Sequence, residues 1–144
     1  MGEQAPPLAA PTASGGEFDI LDEQGRWVVV NFFATWCPPC VAEHPELVAF
    51  ASRNGDDATV VSVAYDEPAD VVEAFFEDNG GDWPVVPDPG SIPLDWAVVK
   101  LPESYLVDPG GTVVEKFRGG VTATELESSI AEHSGAAGDG GASG

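Results

Sequence analysis

The fold of this 144-residue chain is decided by one stretch, VVVNFFATWCPPC, at residues 28–40. Its first six residues are apolar except for Asn31 and rich in β-branched and aromatic side chains, which is typical of a strand buried on both faces of an α/β sheet. Pro38 stands where the first turn of a helix tolerates proline, because the N–H that proline lacks has no partner there. The stretch therefore predicts a buried strand that leads into a helix.

The only two cysteines of the chain, Cys37 and Cys40, lie at this strand-to-helix junction. The partial positive charge of a helix N-terminus favours a thiolate over a thiol, so Cys37 is the expected nucleophile. Cys40 follows one turn later, in a more enclosed position, and is the expected resolving thiol. The spacing therefore indicates dithiol/disulfide redox chemistry.

Two other roles for the cysteine pair fit the sequence less well. A structural zinc site needs four ligands, and the two histidines, His44 and His133, are not in ligand spacing with the cysteines. A purely structural disulfide between residues three apart closes a very small loop and constrains little of the unfolded chain. The sequence therefore predicts a redox pair without a metal or a cofactor.

Length and composition predict one compact domain. The chain is 43% hydrophobic, which suits a single core at this length, and no apolar run approaches the ~20 residues of a membrane span. No charged and then apolar signal segment opens the chain. We expect any membrane anchor or export signal to lie outside this sequence.

The charge of the chain is strongly negative, with 25 acidic and 5 basic residues and a formal net charge of −20. No Lys or Arg occurs between Arg53 and Lys100, while seven carboxylates lie within residues 66–82. Such a surface repels nucleic acid and anionic membranes, which excludes both as partners. Two interpretations stay open: a solvated acidic face that keeps the protein soluble, or adaptation to high salt, where screening weakens self-repulsion.

The predicted elements alternate between strands and helices. Residues 1–16 predict an extended, partly mobile arm, residues 17–134 the folded domain, and the Gly-rich residues 135–144 a disordered tail. From residue 28 onward the order is β-α-β-α-β-β-α, and Thr122 and Glu125 form a capping box before the last helix. The predicted strands are 17–20, 28–33, 59–65, 104–107 and 112–118, and the predicted helices are 38–53, 68–78 and one that opens at 122.

This order and the run from Val30 to Cys40 resemble the thioredoxin fold, an α/β fold with a central mixed sheet flanked by helices, here with an N-terminal extension. Within that fold the chain is similar to the TlpA-like family of extracytoplasmic thiol-disulfide oxidoreductases, which includes the ResA-like and CcmG-like reductases of cytochrome c maturation. Pro45 resembles the proline of a kinked first helix, and residues 101–108 resemble the family's loop and strand with a cis-proline. The resemblance covers about residues 17–133.

The resemblance implies a substrate-binding surface around the cysteines. Pro102 is the expected cis-proline, which lies against the thiols and leaves the Leu101 backbone free to pair with an extended substrate peptide. Trp36 either covers the active site or is a plain core aromatic. Together with Pro38 and Pro39, these residues form the predicted substrate-binding set.

The resemblance also implies an acidic residue that modulates the thiols. Glu43 lies three residues after Cys40 on the same helix face, and the alternative role for it is a solvated helix charge. Asn31 stands where thioredoxins proper carry a buried Asp. Because Asn cannot relay a proton, Glu43 or Glu103 is the expected group that helps to deprotonate Cys40, whereas His44 is expected at the surface.

The direction of electron flow is predicted from the two prolines. Pro38 and Pro39 lack the N–H donors that stabilise a Cys37 thiolate at a helix start, and the nearby carboxylates also favour the neutral thiol. A less stabilised thiolate gives a more reducing couple. We therefore expect a disulfide reductase of protein substrates. The resemblance further implies an extracytoplasmic location, apocytochrome c as a candidate substrate and an upstream membrane thiol as electron donor, and we expect the protein to be a monomer.

Two other functions stay open on the same fold. A general disulfide oxidase or isomerase would have a reduction potential well above that of thioredoxin-like reductants. A copper-binding module needs a third soft or imidazole ligand close to the cysteines, which the sequence does not supply convincingly. A peroxidase is disfavoured, because no Thr-x-x-Cys motif precedes an obvious partner Arg.

Overall fold

The computed structural model describes residues 2–87 and 89–138, with side chains as far as residue 134. The strands in this part of the chain are β1 (Glu3–Gln4), β2 (Ala9–Pro11), β3 (Glu17–Asp19), β4 (Trp27–Phe33), β5 (Ala58–Ala64), β6 (Val85–Val86), β7 (Glu103–Val107) and β8 (Thr112–Arg118). The helices are α1 (Pro38–Asn54), α2 (Ala69–Asn79), α3 (Ile92–Asp95) and α4 (Ala123–Gly138), and a 3₁₀ turn covers Ile20–Glu23. Within the described residues, no helix has both the length and the apolar character that a membrane crossing needs.

Six of these strands form one mixed sheet in the order β1-β8-β7-β4-β5-β6. Strands β4, β5 and β6 run parallel, whereas β7 pairs antiparallel with β4 and β8, and β1 pairs antiparallel with β8. The other two strands, β2 and β3, pair antiparallel in a separate small sheet. The central mixed sheet is confirmed, and the seven elements predicted from residue 28 onward occur in the predicted order, with two further short elements, β6 and α3, between α2 and β7.

Two hydrophobic cores cover the two faces of the sheet. The cysteine-side core contains Val29 and Phe33 of β4 together with both cysteines. The far-side core contains Val30 and Phe32 of the same strand. Because alternate residues of a strand point to opposite faces, burial on both sides explains why the apolar run of β4 is almost continuous.

The segment predicted as a mobile arm is extended and packs on the rest of the domain. β1 pairs with β8, β2 pairs with β3, and Leu8 between β1 and β2 is buried in the far-side core. The partner residues of β1 are Thr112 and Val113, more than a hundred positions along the chain. The Pro- and Ala-rich composition gave no sign of this pairing, because it depends on a distant strand.

Two short elements between α2 and β7 were not predicted. β6 spans Val85–Val86 and pairs parallel with β5, while α3 spans Ile92–Asp95. Two-residue strands and single helical turns are too short to show a hydrophobic period. The long connection before β7 is therefore more structured than its sequence indicates.

The last helix begins at the predicted capping box. The Thr122 N–H donates to Glu125 Oε1 at 2.9 Å, and the Glu125 N–H donates to Thr122 Oγ1 at 3.1 Å. The helix α4 continues to Gly138, four residues into the segment predicted as a disordered tail. The rest of that predicted tail, residues 139–144, lies outside the described residues.

The seven carboxylates within residues 66–82, the acidic segment, lead us to expect that salt stabilises the fold. All of these carboxylates except Glu67 are exposed, and at ~0.1 M salt a screening length of ~10 Å leaves neighbouring charges in repulsion. We expect 1 M NaCl or KCl to raise the melting temperature by several degrees, since ~1 kcal/mol corresponds to ~2–8 °C for domains of this size range. A thermal unfolding series checks this, and a flat or falling melting temperature would contradict adaptation to salt.

Candidate active site

The two cysteines form a disulfide at the N-terminus of α1. Cys37 is the N-cap residue, Pro38 and Pro39 occupy the first two helical positions, and the Cys37 side chain makes no capping hydrogen bond. The Cα atoms of the pair are 5.2 Å apart. Cys37 is 5% exposed and Cys40 is 2% exposed, so the expected nucleophile is the more accessible of the two.

A carboxylate at the end of the neighbouring strand holds the segment before the disulfide. Glu67 accepts a hydrogen bond from the Thr35 N–H at 2.9 Å, and its second oxygen accepts from the Thr35 hydroxyl. Thr35 follows β4 and Glu67 follows β5, and because these strands are parallel the two residues meet at one edge of the sheet. Glu67 thereby fixes the backbone two residues before Cys37.

Glu43 is buried on the helix face that carries the cysteines, with 4% of its surface exposed. Its Oε1 accepts from Asn31 Nδ2 at 2.9 Å, and its Oε2 accepts from the Val121 N–H at 3.0 Å. Burial raises the pKa of Glu43 to about 7, although both hydrogen bonds act to lower it. The alternative of a solvated helix charge is therefore wrong, and this carboxyl group can exchange a proton near neutral pH.

The Leu101–Pro102 peptide bond is cis. Leu101 is partly buried and packs against both cores, and the Pro102 carbonyl accepts a hydrogen bond from the Gly119 N–H at 3.0 Å. The next residue, Glu103, opens β7 and pairs with Phe32 near the end of β4. The cis-proline loop therefore lies at the same edge of the sheet as the start of α1.

Glu103 anchors the loop that precedes the cis-proline. Its Oε2 accepts from the Val99 and Lys100 N–H groups, both at 3.2 Å. Its Oε1 accepts from the Tyr105 hydroxyl at 3.0 Å and lies 3.3 Å from the Lys116 ammonium. Burial acts to raise the pKa of Glu103, but these four donors outweigh it and hold the pKa below its usual value.

The face of the sheet distinguishes the two carboxylates that were expected near Cys40. Tyr105 belongs to the far-side core, and because alternate strand residues share a face, Glu103 lies on that side as well. Glu43 bonds to Asn31, which alternates with the far-side residues of β4 and so faces the cysteines. Glu43 therefore lies on the cysteine side of the sheet and Glu103 on the far side.

Comparison with known proteins identifies the family. Residues 1–116 match the AhpC/TSA family. The chain belongs to this family. It is 30% identical over 131 residues to the thiol-disulfide oxidoreductase ResA of Bacillus thuringiensis subsp. konkukian, an alignment that covers 88% of this chain and 75% of the relative.

Two solved structures have the same fold as this AhpC/TSA-family chain. A thioredoxin family thiol:disulfide interchange protein of Chlorobium tepidum has a TM-score of 0.84 at 24% identity, over 92% of this chain and 96% of that one. A secreted Mycobacterium tuberculosis disulfide oxidoreductase, homologous to E. coli DsbE, has a TM-score of 0.75 at 26% identity, over 87% and 95%. The predicted thioredoxin fold and thiol-disulfide oxidoreductase activity are thus confirmed.

The structure places Trp36 of this oxidoreductase at the surface and His44 in the interior. Trp36 is 66% exposed, so it is not a core aromatic. His44, expected at the surface, is buried: its Nε2 lies 2.7 Å from the Gly80 carbonyl oxygen, and its ring packs edge-on against Phe75 and Phe76. Burial lowers the pKa of His44. The prediction that His44 lies at the surface was wrong, because its hydrogen-bond partner is the Gly80 carbonyl, 36 residues away, which the local sequence does not indicate.

The structure also assigns contacts that the sequence did not reveal. They involve Ser62 and Trp83, which reach Asn31 through hydrogen bonds, and Glu67, which holds Thr35. Only Glu67 had a recognisable signal, because it follows a strand that was predicted at residues 59–65. Ser62 interrupts an apolar strand and Trp83 follows a Gly-Gly-Asp run, and neither has a local pattern that indicates its partner.

The described residues contain one cluster of potential metal ligands, away from the disulfide. Glu115, Glu132 and His133 bring three ligand atoms within 4.8 Å of one another, on β8 and α4. The cluster includes neither cysteine and none of the predicted site residues. The chemistry of the site described above instead rests on the disulfide, which itself accepts two electrons.

Proposed function

We propose that this oxidoreductase is an extracytoplasmic disulfide reductase of protein substrates. The observation that carries the proposal is the environment of Cys37 at the start of α1. The N–H groups that bond an N-cap side chain belong to the second and third helical residues, and one of these is Pro39, which has none. With little to stabilise its thiolate, Cys37 favours the couple in which the dithiol gives up electrons.

The reduction can be written as two exchanges. The Cys37 thiolate attacks a substrate disulfide, forms a mixed disulfide and releases the first substrate sulfur as a thiolate. Cys40 then passes its proton to the Glu43 carboxylate and attacks Cys37 Sγ, which releases the second substrate thiolate. Two electrons leave the enzyme, and the Cys37–Cys40 disulfide remains. A membrane thiol donor on the upstream side is the proposed source of the electrons that restore the dithiol.

The substrate is proposed to bind along the cis-proline loop. The Leu101 backbone pairs with an extended peptide, while the exposed Trp36 indole and the rings of Pro38 and Pro39 contact the flanking residues. Pro102, through its cis peptide bond, determines the path of the loop beside the disulfide. Apocytochrome c is the candidate substrate by resemblance to the TlpA-like family, and the protein acts as a monomer.

The extracytoplasmic location is supported by one of the related structures, which is described as a secreted disulfide oxidoreductase. An oxidising compartment is where protein disulfides form and persist. A disulfide reductase in an oxidising compartment therefore meets protein disulfides that rarely form in the cytosol. The location is tested by fractionating cells that express the natural protein and probing the fractions with an antibody.

The reduction potential tests the direction of electron flow. Equilibration with glutathione redox buffers is expected to place the Cys37–Cys40 couple near the ~−270 mV of thioredoxin, far below the ~−120 mV of the oxidant DsbA. Thiolate absorbance against pH is expected to give Cys37 a pKa near or above ~7, and Glu43→Gln is expected to lower it. A potential near that of DsbA, or a Cys37 pKa near ~4, would overturn the reductase assignment.

The buried Glu43 predicts a specific dependence of stability on pH. Its folded-state pKa of about 7 is above the unfolded value of 4.5, so the folded state binds the proton more tightly between these pH values. The stabilisation from this group is complete below pH ~4.5. It is lost as pH rises through ~7, and the total loss is about 3 kcal/mol. Glu43→Gln removes this falling limb.

The measurement is urea unfolding of the oxidised protein between pH 4 and pH 8. Glutamine leaves one of the two donors that face residue 43 without an acceptor, but that cost does not vary with pH. Exposed Glu73→Gln is the matched control and is expected to keep the wild-type slope. A Glu43→Gln variant with the same slope as wild type would contradict the assignment.

A further inference from the structure

A buried chain of hydrogen bonds connects Trp83 to Glu43. Trp83 Nε1 donates to Ser62 Oγ at 2.8 Å, Ser62 Oγ donates to Asn31 Oδ1 at 3.2 Å, and Asn31 Nδ2 donates to Glu43 Oε1 at 2.9 Å. All four residues are at most 8% exposed. The chain therefore runs through the protein interior, where water does not compete for its partners.

The direction of this chain is determined at its Trp83 end. An indole N–H can only donate, so Ser62 Oγ must accept there and has one hydrogen left, which points to Asn31 Oδ1. The amide of Asn31 is thereby oriented with its oxygen toward Ser62. Its two N–H bonds go to Glu43 Oε1 and to Ser104 Oγ at 3.2 Å.

We infer that Trp83 and Ser62 are positioning residues for Glu43, acting through the amide orientation of Asn31. The inference rests on the proposed role of Glu43 as proton acceptor for Cys40. With the chain intact, Asn31 always presents a donor to the carboxylate. Without it, the Asn31 amide is free to turn and present its oxygen, and an oxygen facing Glu43 favours the protonated carboxyl group.

Among the groups around Glu43, the Asn31 amide is the one whose orientation can change the protonation of the carboxyl group. Its other hydrogen-bond partner is the Val121 N–H, which is uncharged and cannot turn. The two cysteines lie in the core on the same side of the sheet, but they do not titrate while they form the disulfide. Glu46, on the same helix, accepts a hydrogen bond from the Ala123 N–H. His44 faces the Trp83 ring at a centroid distance of 5.3 Å.

Ser62→Ala and Trp83→Phe test the inference in the full-length oxidised protein. Each variant is expected to raise the pKa of Glu43 by about one pH unit, because a hydrogen bond to an ionised group is lost or reversed. The pKa is measured from the carboxyl carbon resonance of Glu43 by NMR between pH 4 and pH 9. Trp96→Phe is the matched control, since that indole donates to the Pro7 carbonyl at 3.4 Å in the far-side core.

The double variant separates the hydrogen-bond chain from packing. If Trp83 acts through Ser62, then Trp83→Phe adds no further shift in the Ser62→Ala background. A Trp83→Phe shift that persists in that background, or a Glu43 pKa unchanged by Ser62→Ala, overturns the inference. Either result leaves the proposed reductase function standing, because the reduction potential and the pKa of Cys37 test that function independently.

Discussion

Cys37→Ser is expected to abolish disulfide reduction, whereas Cys40→Ser is expected to capture substrate covalently. Without the Cys37 thiolate no mixed disulfide forms. Without the Cys40 thiol the mixed disulfide forms but is not resolved, because the second thiolate is missing. Cys37 is also the more accessible of the two side chains, at 5% against 2% exposure. The expected difference in trapped product is therefore close to all-or-none.

The experiment exposes each reduced variant to a peptide that contains one disulfide and identifies adducts by mass spectrometry and non-reducing electrophoresis. The variant that lacks both cysteines is the control for adventitious adducts. Equal trapping by the two single variants would contradict the assigned roles. Capture by Cys40→Ser from an extracytoplasmic extract would in addition show whether apocytochrome c is among the natural substrates.

Glu103→Ala is expected to cost about 3–5 kcal/mol of stability, the second large effect. The substitution leaves the Lys116 ammonium as a buried charge without its partner, and removal of one member of a buried pair is strongly destabilising. The side chains of Lys116 and Glu103 are 11% and 2% exposed. The Val99 and Lys100 N–H groups also lose their acceptor, so the cis-proline loop and substrate affinity are expected to be impaired.

Urea unfolding at pH 7 measures the loss, and two further variants show its cause. Arg53→Gln breaks an exposed pair with Glu127, whose side chains are 53% and 33% exposed, and is expected to cost about 1 kcal/mol or less. Adding Lys116→Met to Glu103→Ala removes the unpaired charge and is expected to restore part of the stability. If Glu103→Ala costs no more than Arg53→Gln, the buried anchor is not a stabilising element.

The position of the redox pair could be predicted from the sequence because its determinants are local. A continuous apolar run predicts a strand buried on both faces, a proline at the next helix start predicts α1, and the two cysteines fall between them. The capping box at Thr122 is likewise a signal within four residues. The fold class followed from the order of such elements.

The chemical environment of the pair could not be predicted, because it depends on residues that are distant in sequence. Glu43 is a buried acid only because Asn31 and Val121 approach it from two other elements. His44, its neighbour on the same helix, was predicted at the surface and is instead buried against α2. Adjacent charged and polar residues on a helix give no local sign of which one is covered.

The sequence by itself thus determined the fold, the dithiol and its place at the start of α1. Only the tertiary structure separated the two candidate carboxylates, since the sheet places Glu43 on the cysteine side and Glu103 on the far side. It also decided that the N-terminal segment packs on the domain, through β1 and Leu8. The physical reason is that backbone preferences and apolar periods act within a few residues, whereas burial and hydrogen-bond partners arise where distant segments meet.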